Sequence, residues 1–227
     1  MTDLPLTDHP GRGVRAWLGR KWLRLNGWTI GGSRPDTKKA VIVAAPHTSN
    51  WDLAFTLAIA WVLDMRIRWV GKQELFKGPI GPLMRAVGGL PVDRSKRNNA
   101  VQAIASLFDE HEELYLIIPP EGTRSLAGRW KTGFYWIAVE AKVPIILGYV
   151  DFGRGRGGLG EIFEPTGDIE ADFEALREFY SDIRGKKPEL QGDISLGEKE
   201  LEAAARRREA AAESAAESAA ESATDAS

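Results

Sequence analysis

Between Ala40 and Arg184, short apolar runs of strand length alternate with stretches of helical period, and this alternation restricts the chain more than any other feature. Ala40-Val41-Ile42-Val43-Ala44-Ala45 is a continuous apolar run that reads as a buried strand, and 51–63 after it reads as a helix. Further strands are expected at 66–70, 90–92, 114–118, 144–152 and 161–163. Helices are expected at 79–87, 98–110, 133–141 and 172–184. The alternation implies an α/β fold: a single domain with a mostly parallel or mixed sheet flanked by helices. A chain of 227 residues can bury enough surface for that core without a metal or a disulfide.

The flanks read differently, which divides the chain into a segment 1–39, a domain 40–197 and a tail 198–227. The first segment carries eight Lys/Arg against three Asp, a net of +5, whereas the tail carries four basic against eight acidic residues, a net of −4. The whole-chain charge of −2 conceals this segregation. Within the first segment Val14, Trp17, Leu18, Trp22, Leu25 and Trp28 recur at helical spacing, flanked by Arg15, Arg20 and Arg24 and interrupted by Lys21. Such an amphipathic N-terminal helix suits a lipid interface, with indoles at headgroup depth and cations on anionic lipid. It equally suits a helix packed on its own domain with a solvated basic face. The tail, with Ala-Ala-Glu-Ser repeated at 211–214, 215–218 and 219–222, reads as disordered or marginally helical and without a catalytic role.

Composition removes several function classes. With no cysteine there is no thiolate nucleophile and no cysteine-bound zinc, and the three histidines (His9, His47 and His111) are far apart in sequence, so no metal site is expected. The N-terminus lacks the pattern of a signal peptide. The longest apolar stretch, 53–63, has 11 residues where a membrane span needs about 20. A cytoplasmic protein, soluble or peripheral, is therefore expected. One motif misleads: Gly155-Arg156-Gly157-Gly158-Leu159-Gly160 matches the dinucleotide fingerprint Gly-x-Gly-x-x-Gly. The following Glu161-Ile162-Phe163-Glu164-Pro165 is extended rather than helical, so a flexible hairpin-like loop is the expectation.

The residues with chemical capacity gather at expected strand ends, where open α/β sheets bind ligands. The first run is Pro46-His47-Thr48-Ser49-Asn50-Trp51-Asp52, with a histidine leaving the strand and an aspartate one turn into the helix. An imidazole held by a carboxylate is a general base. A capping box between Ser49 and Asp52 would account for the aspartate but not for His47. Gly88 to Arg94 ends a second strand in arginine. Pro119-Pro120-Glu121-Gly122-Thr123-Arg124-Ser125 follows a third, with Lys131 shortly after. Arginine forks match phosphate oxygens. The combination points to base chemistry on a phosphate-bearing molecule.

In order and spacing these runs resemble the glycerolipid acyltransferase family, whose lysophosphatidic acid acyltransferases make phosphatidic acid. Its four blocks correspond to His47–Asp52, Gly88–Arg94, Pro120–Ser125 and Val143-Pro144-Ile145-Ile146-Leu147; Lys72-Gln73-Glu74-Leu75-Phe76 is also similar. The resemblance covers about 40–165. Pro119, Pro91 and Leu147 depart from the usual Phe, aromatic and Pro of that family, at positions expected to shape the acyl and acceptor pockets.

The resemblance implies transfer of a fatty acyl group from a thioester, acyl-CoA or acyl carrier protein, to a hydroxyl of a lysophospholipid, first of all 1-acylglycerol 3-phosphate. His47 would be the base and Asp52 its orienting partner. Arg94, Glu121, Gly122, Thr123 and Arg124 would bind substrate, with Lys72 and Lys131 as further candidates. No cofactor beyond the thioester is implied. The partners are a lysolipid, the thioester and the inner face of a membrane bound peripherally; no nucleic acid is expected. Acylation of another lysolipid or of glycerol 3-phosphate, transacylation between lipids, and a non-catalytic membrane-binding homologue are the alternatives.

Overall fold

The structure is a computed structural model that describes residues 3–92, 100–126, 128–206 and 209. Its strands are β1 Asp3–Leu4, β2 Thr29–Gly31, β3 Lys39–Ala45, β4 Ile67–Lys72, β5 Gly89–Val92, β6 Leu114–Ile118, β7 Ile145–Asp151 and β8 Arg156–Phe163. Its helices are α1 Gly13–Leu25, α2 Trp51–Val62, α3 Gly81–Ala86, α4 Ala100–Ala105, α5 Leu107–Glu110, α6 Gly133–Ala141 and α7 Ile169–Tyr180. The strands form one mixed sheet in the order β1-β2-β8-β7-β3-β6-β4-β5. The block β7-β3-β6-β4-β5 is parallel throughout, while β8 runs antiparallel to β7 and β1 antiparallel to β2.

The central strand explains its own composition. Both neighbours of β3 are hydrogen-bonded strands and both its faces are covered, so it is apolar throughout rather than alternating. Val41, Val43 and Ala45 face a core shared with α4, α6 and α7. Ala40 and Ile42 face the other core, beneath α1 and α2. Because β3, β4, β5 and β6 are parallel, the loops after all four open on one edge of the sheet. The α/β architecture expected from the sequence is the one observed, with the N-terminal helix present.

Several local expectations are corrected. The helical stripe does not reach Trp28: α1 closes in a Schellman arrangement, Trp28 N–H donating to the Leu23 carbonyl (2.9 Å) and Gly27 N–H to that of Arg24 (3.1 Å), with Gly27 at φ +69°. Trp28 then turns inward to stack on Phe55 at 3.9 Å. The Gly-rich run is not a loop, since from Arg156 onward it is strand β8, paired on both sides. The helix expected at 98–110 is divided at Ser106, whose hydroxyl donates to the Ala103 carbonyl (3.2 Å); Asn98 and Asn99 lie outside the described residues. In the tail, 198–206 is helical and Ala204 is buried in the α4–α6–α7 core, so this part does pack. The Ala-Ala-Glu-Ser repeats lie outside the described residues.

Helix α1 lies on α2 through its small side. Ala16, Gly19 and Leu23 are buried, whereas Val14, Trp17, Leu18 and Leu25 on the opposite side are exposed. Arg20 is a strut rather than a surface cation, donating to the carbonyls of Leu6, His9 and Gly11 at 2.7–2.9 Å. A Cβ at Gly19 would stand 2.7 Å from the Ala58 carbonyl oxygen, a backbone atom that cannot yield easily. Gly19→Ala should therefore push α1 off α2 and lower stability by about 1–3 kcal/mol in chemical denaturation; unchanged stability would mean that the helix contact is loose.

Candidate active site

The loop leaving β3 turns at Pro46 and enters α2 at Trp51, and the Asp52 carboxylate organises it. Oδ2 accepts the backbone N–H groups of Thr48 and Ser49, both at 2.8 Å, and lies 3.3 Å from His47 Nδ1. Oδ1 accepts the Ser49 hydroxyl at 2.9 Å. Ser49 Oγ in turn accepts the N–H of Trp51 (3.1 Å), so it acts as the helix cap. The capping and histidine-orienting roles of Asp52 are thus both realised by one carboxylate. Burial pushes its pKa up, but the bonds from His47 and from the Ser49 backbone and hydroxyl outweigh this, leaving it below the usual carboxylate value. With Nδ1 directed at a carboxylate, the His47 lone pair resides on Nε2, and the side chain is a quarter exposed. That is the geometry of a general base open to solvent on one side.

Strands β3 and β6 are neighbours, so the loop after β6 lies beside the histidine loop. It delivers Glu121, which the resemblance assigns to substrate binding and whose side chain here turns into the protein. Glu121 is only 2% exposed, and its Oε1 accepts the His47 backbone N–H at 3.0 Å. Its Oε2 is buried with no hydrogen-bond partner among the described residues. Burial raises its pKa above the usual carboxylate range, against the opposing pull of the His47 N–H. The residue is a strut behind the imidazole.

The other candidates divide. Arg124 is exposed, and its Nη1 donates to Asn50 Oδ1 at 2.5 Å, three residues from His47. It makes no ion pair with Glu121. Gly122, at φ +66°, has the Lys131 side chain against it: a Cβ there would stand 2.7 Å from Nζ. The Gly122 N–H is taken by the Pro119 carbonyl (3.2 Å), so in this arrangement it is not free to hold an oxyanion. Thr123 is exposed, with its hydroxyl accepting the Ser125 N–H (3.2 Å). Lys72 is exposed at the end of β4, two strands from β3 and so roughly 10 Å across the same edge. Arg94 lies outside the described residues. Among the described residues no three His, Asp or Glu side chains converge as a metal site would require.

Residues not singled out by the sequence also border the site. Lys187 N–H donates to the buried Thr48 hydroxyl (3.2 Å), and Lys186 Nζ lies 5.2 Å above the Trp51 ring. Behind the loop, Tyr180 donates to the Gly148 carbonyl (2.9 Å); burial, then the Glu121 charge, raises its pKa. No local motif marks these positions: Tyr180 is the last residue of α7, and Lys186 and Lys187 lie on the chain after it, which folds back against the histidine loop.

The buried Glu121 has a measurable consequence. A carboxyl whose pKa is raised in the folded state holds its proton more tightly there than in the unfolded chain, so stability falls as pH rises from the ordinary value of 4.5 through the raised one. Glu121→Gln keeps the acceptor for His47 N–H and removes that titration. In thermal melts the variant's Tm minus that of the wild type should grow as the pH rises above 4.5; a constant difference would show that the carboxyl is not buried as described.

The chain is similar to known proteins. The sequence model of the acyltransferase family matches residues 29–147, more than half of the chain. Among curated proteins, a 1-acyl-sn-glycerol-3-phosphate acyltransferase of Cocos nucifera is 31% identical over 131 residues, 55% of this chain and 41% of its own. The human 1-acyl-sn-glycerol-3-phosphate acyltransferase beta is 32% identical over 111 residues, 46% of this chain and 39% of its own. The chain thus spans about two fifths of the length of these curated relatives. The crystal structure of the 1-acyl-sn-glycerophosphate acyltransferase PlsC of Thermotoga maritima has the same fold, with a TM-score of 0.50 at 21% identity over 74% of this chain and 73% of that one. With the family match running from β2 to β7 and enclosing both loops of the site, the chain belongs to the acyltransferase family.

Proposed function

We propose that this protein transfers a fatty acyl group from a thioester, acyl-CoA or acyl carrier protein, to the free hydroxyl of 1-acylglycerol 3-phosphate, giving phosphatidic acid. The observation that carries this reading is the His47 imidazole held through Nδ1 by the buried Asp52 carboxylate, with Nε2 left for chemistry. The printed activity of the curated relatives supports the choice of acceptor.

In this reading Nε2 takes the proton of the acceptor hydroxyl as its oxygen attacks the thioester carbonyl carbon. Asp52 stabilises the imidazolium that forms. The tetrahedral intermediate then expels the thiolate by breaking the C–S bond, and the imidazolium returns the proton to sulfur. No acyl-enzyme is required, in keeping with a chain that has no cysteine. Arg124, beside the loop, Lys131 and, further along the edge, Lys72 offer cations for the acceptor phosphate, and Thr123 offers a hydroxyl; Arg94, which lies outside the described residues, would be a further cation in the same reading. A site for an acyl lysolipid also has to meet a membrane. No helix among the described residues is long and apolar enough to cross one. The outward face of α1 presents Val14, Trp17, Leu18 and Leu25, and with Arg20 turned inward four exposed cations, Arg12, Arg15, Lys21 and Arg24, accompany it with no acidic residue between them, which suits docking on anionic lipid. In this reading the surface concerned would be the inner face of a membrane, bound peripherally.

The test is mass-spectrometric detection of acyl transfer from acyl-CoA or acyl carrier protein to a panel of lysolipids. His47→Ala should lower turnover by about 10²–10⁴-fold with the fold intact by circular dichroism, and Asp52→Asn should leave a small residue of activity. A folded His47→Ala enzyme with near wild-type turnover would sink the mechanism. Equal transfer to lysolipids without a phosphomonoester would remove 1-acylglycerol 3-phosphate as the acceptor.

A further inference from the structure

Of the twelve large hydrophobic side chains that stand exposed among the described residues, nine lie on the side of the sheet that carries α1 and α2. Six of the nine are on those two helices. The other three, Leu75, Ile80 and Leu83, belong to the crossover from β4 to β5, which holds a 3-10 turn, Gln73–Phe76, and α3. Right-handed connections place this crossover on the same face as α2, because β3 to β4 and β4 to β5 step in the same direction along the sheet. Packing agrees. Ile67 and Trp69 are on one face of β4; Ile67 packs under α2, while Trp69 packs on Phe76 (centroids 5.8 Å) and donates its indole N–H to the Val87 carbonyl (3.1 Å). Phe76 is buried as the anchor, and Leu75, Ile80 and Leu83 are left outside.

We infer that this crossover is a second membrane-contacting element, which meets an anionic lipid surface together with α1. Isolated exposed hydrophobics are ordinary, but three on one short crossover, on the same side of the sheet as the exposed residues of α1 and α2, make a patch. Its cations identify the occupant: Lys72, Lys77 and Arg85 surround the patch against one acidic residue, Glu74. Apolar side chains ringed by cations fit lipid headgroups and the acyl boundary below them. A second copy of the chain would bring the same positive charge to the same place. The inference rests on the peripheral reading of α1 and adds a geometry to it. Helix α1 packs on α2, which lies over β7 and β8, whereas α3 packs on β5 at the far edge of the sheet. Two separated contacts would fix the tilt of the protein and hold the start of α2, with His47 and Asp52, at a constant distance from the bilayer.

Because the chain has no cysteine, single cysteines can report on each element without background. Leu83→Cys, Leu18→Cys and Leu201→Cys, each labelled with an environment-sensitive nitrobenzoxadiazole probe, are mixed with phosphatidylcholine vesicles containing phosphatidylglycerol. The probes at 83 and 18 should shift to the blue, brighten severalfold and become shielded from iodide, while the probe at 201, on the other side of the sheet, should not change. Leu75→Ser, Ile80→Ser and Leu83→Ser combined should weaken vesicle flotation by about tenfold or more. A silent probe at 83 beside a responding probe at 18 overturns the second contact and leaves α1 docking in place. Silence at both overturns it together with the peripheral reading. A blue shift at 83 that rises with protein concentration and needs no vesicles would assign the patch to a second copy and overturn the lipid.

Discussion

A single buried carboxylate organises the edge of the sheet that carries the candidate site. Asp52 gathers two backbone N–H groups, a hydroxyl and the His47 imidazole, and each bond serves a different purpose. The backbone bonds fold the loop between β3 and α2 into one shape. The Ser49 bond couples the carboxylate to the helix cap. The imidazole bond then follows from a loop already fixed. A buried charge would be destabilising without such partners. With four of them it stays ionised, as its lowered pKa records. Beneath the imidazole, Glu121 applies the opposite electrostatics: its carboxyl is deprived of partners at one oxygen and driven toward the protonated form. Two carboxyls that bond to the same histidine, one at its ring and one at its backbone, are thus pushed in opposite directions by their surroundings.

How much of this was legible depended on how local its causes are. The β3 run and the His47–Asp52 pair were readable because one strand and one helical turn determine them. Glu121 was readable as important but not as a strut. The letters Pro-Glu-Gly-Thr-Arg do not say which side chain turns inward, and only the pairing of β3 with β6 places the two loops together. The stop of α1 before Trp28 was present in Asn26-Gly27, but an apolar period running on through Trp28 masked it. Similarly, the Gly-rich run was correctly refused as a nucleotide motif because no helix follows, yet glycine content alone could not reveal that β2 and β7 would pair with it as a strand. Ala204 shows the reverse case, in which an alanine in a polar tail finds a core that the tail's own composition does not announce.

The two faces of α1 connect fold to function. Small residues at Ala16 and Gly19 let its backbone approach α2, which turns the larger apolar residues outward. Of its two tryptophans, Trp22 packs inward on Phe55 and Trp17 is turned outward. The helix thus leaves an apolar surface outside while Trp22, stacked with Trp51 at 6.0 Å, ties it to the start of α2, where Lys186 overlies Trp51. In the proposed function the same helix would serve both the packing of the domain and the approach to a lipid substrate.

The central claim is that Asp52 sets the tautomer of His47, and it can be observed without substrate. The chain has three histidines, so with 15N-labelled histidine and a His47→Gln spectrum for assignment, two-bond proton–nitrogen correlations report the protonated nitrogen of each ring. At a pH where the His47 ring is neutral, the account predicts a proton on Nδ1 and a bare Nε2. A neutral ring carrying its proton on Nε2 would leave no base facing the acceptor hydroxyl, and would contradict it.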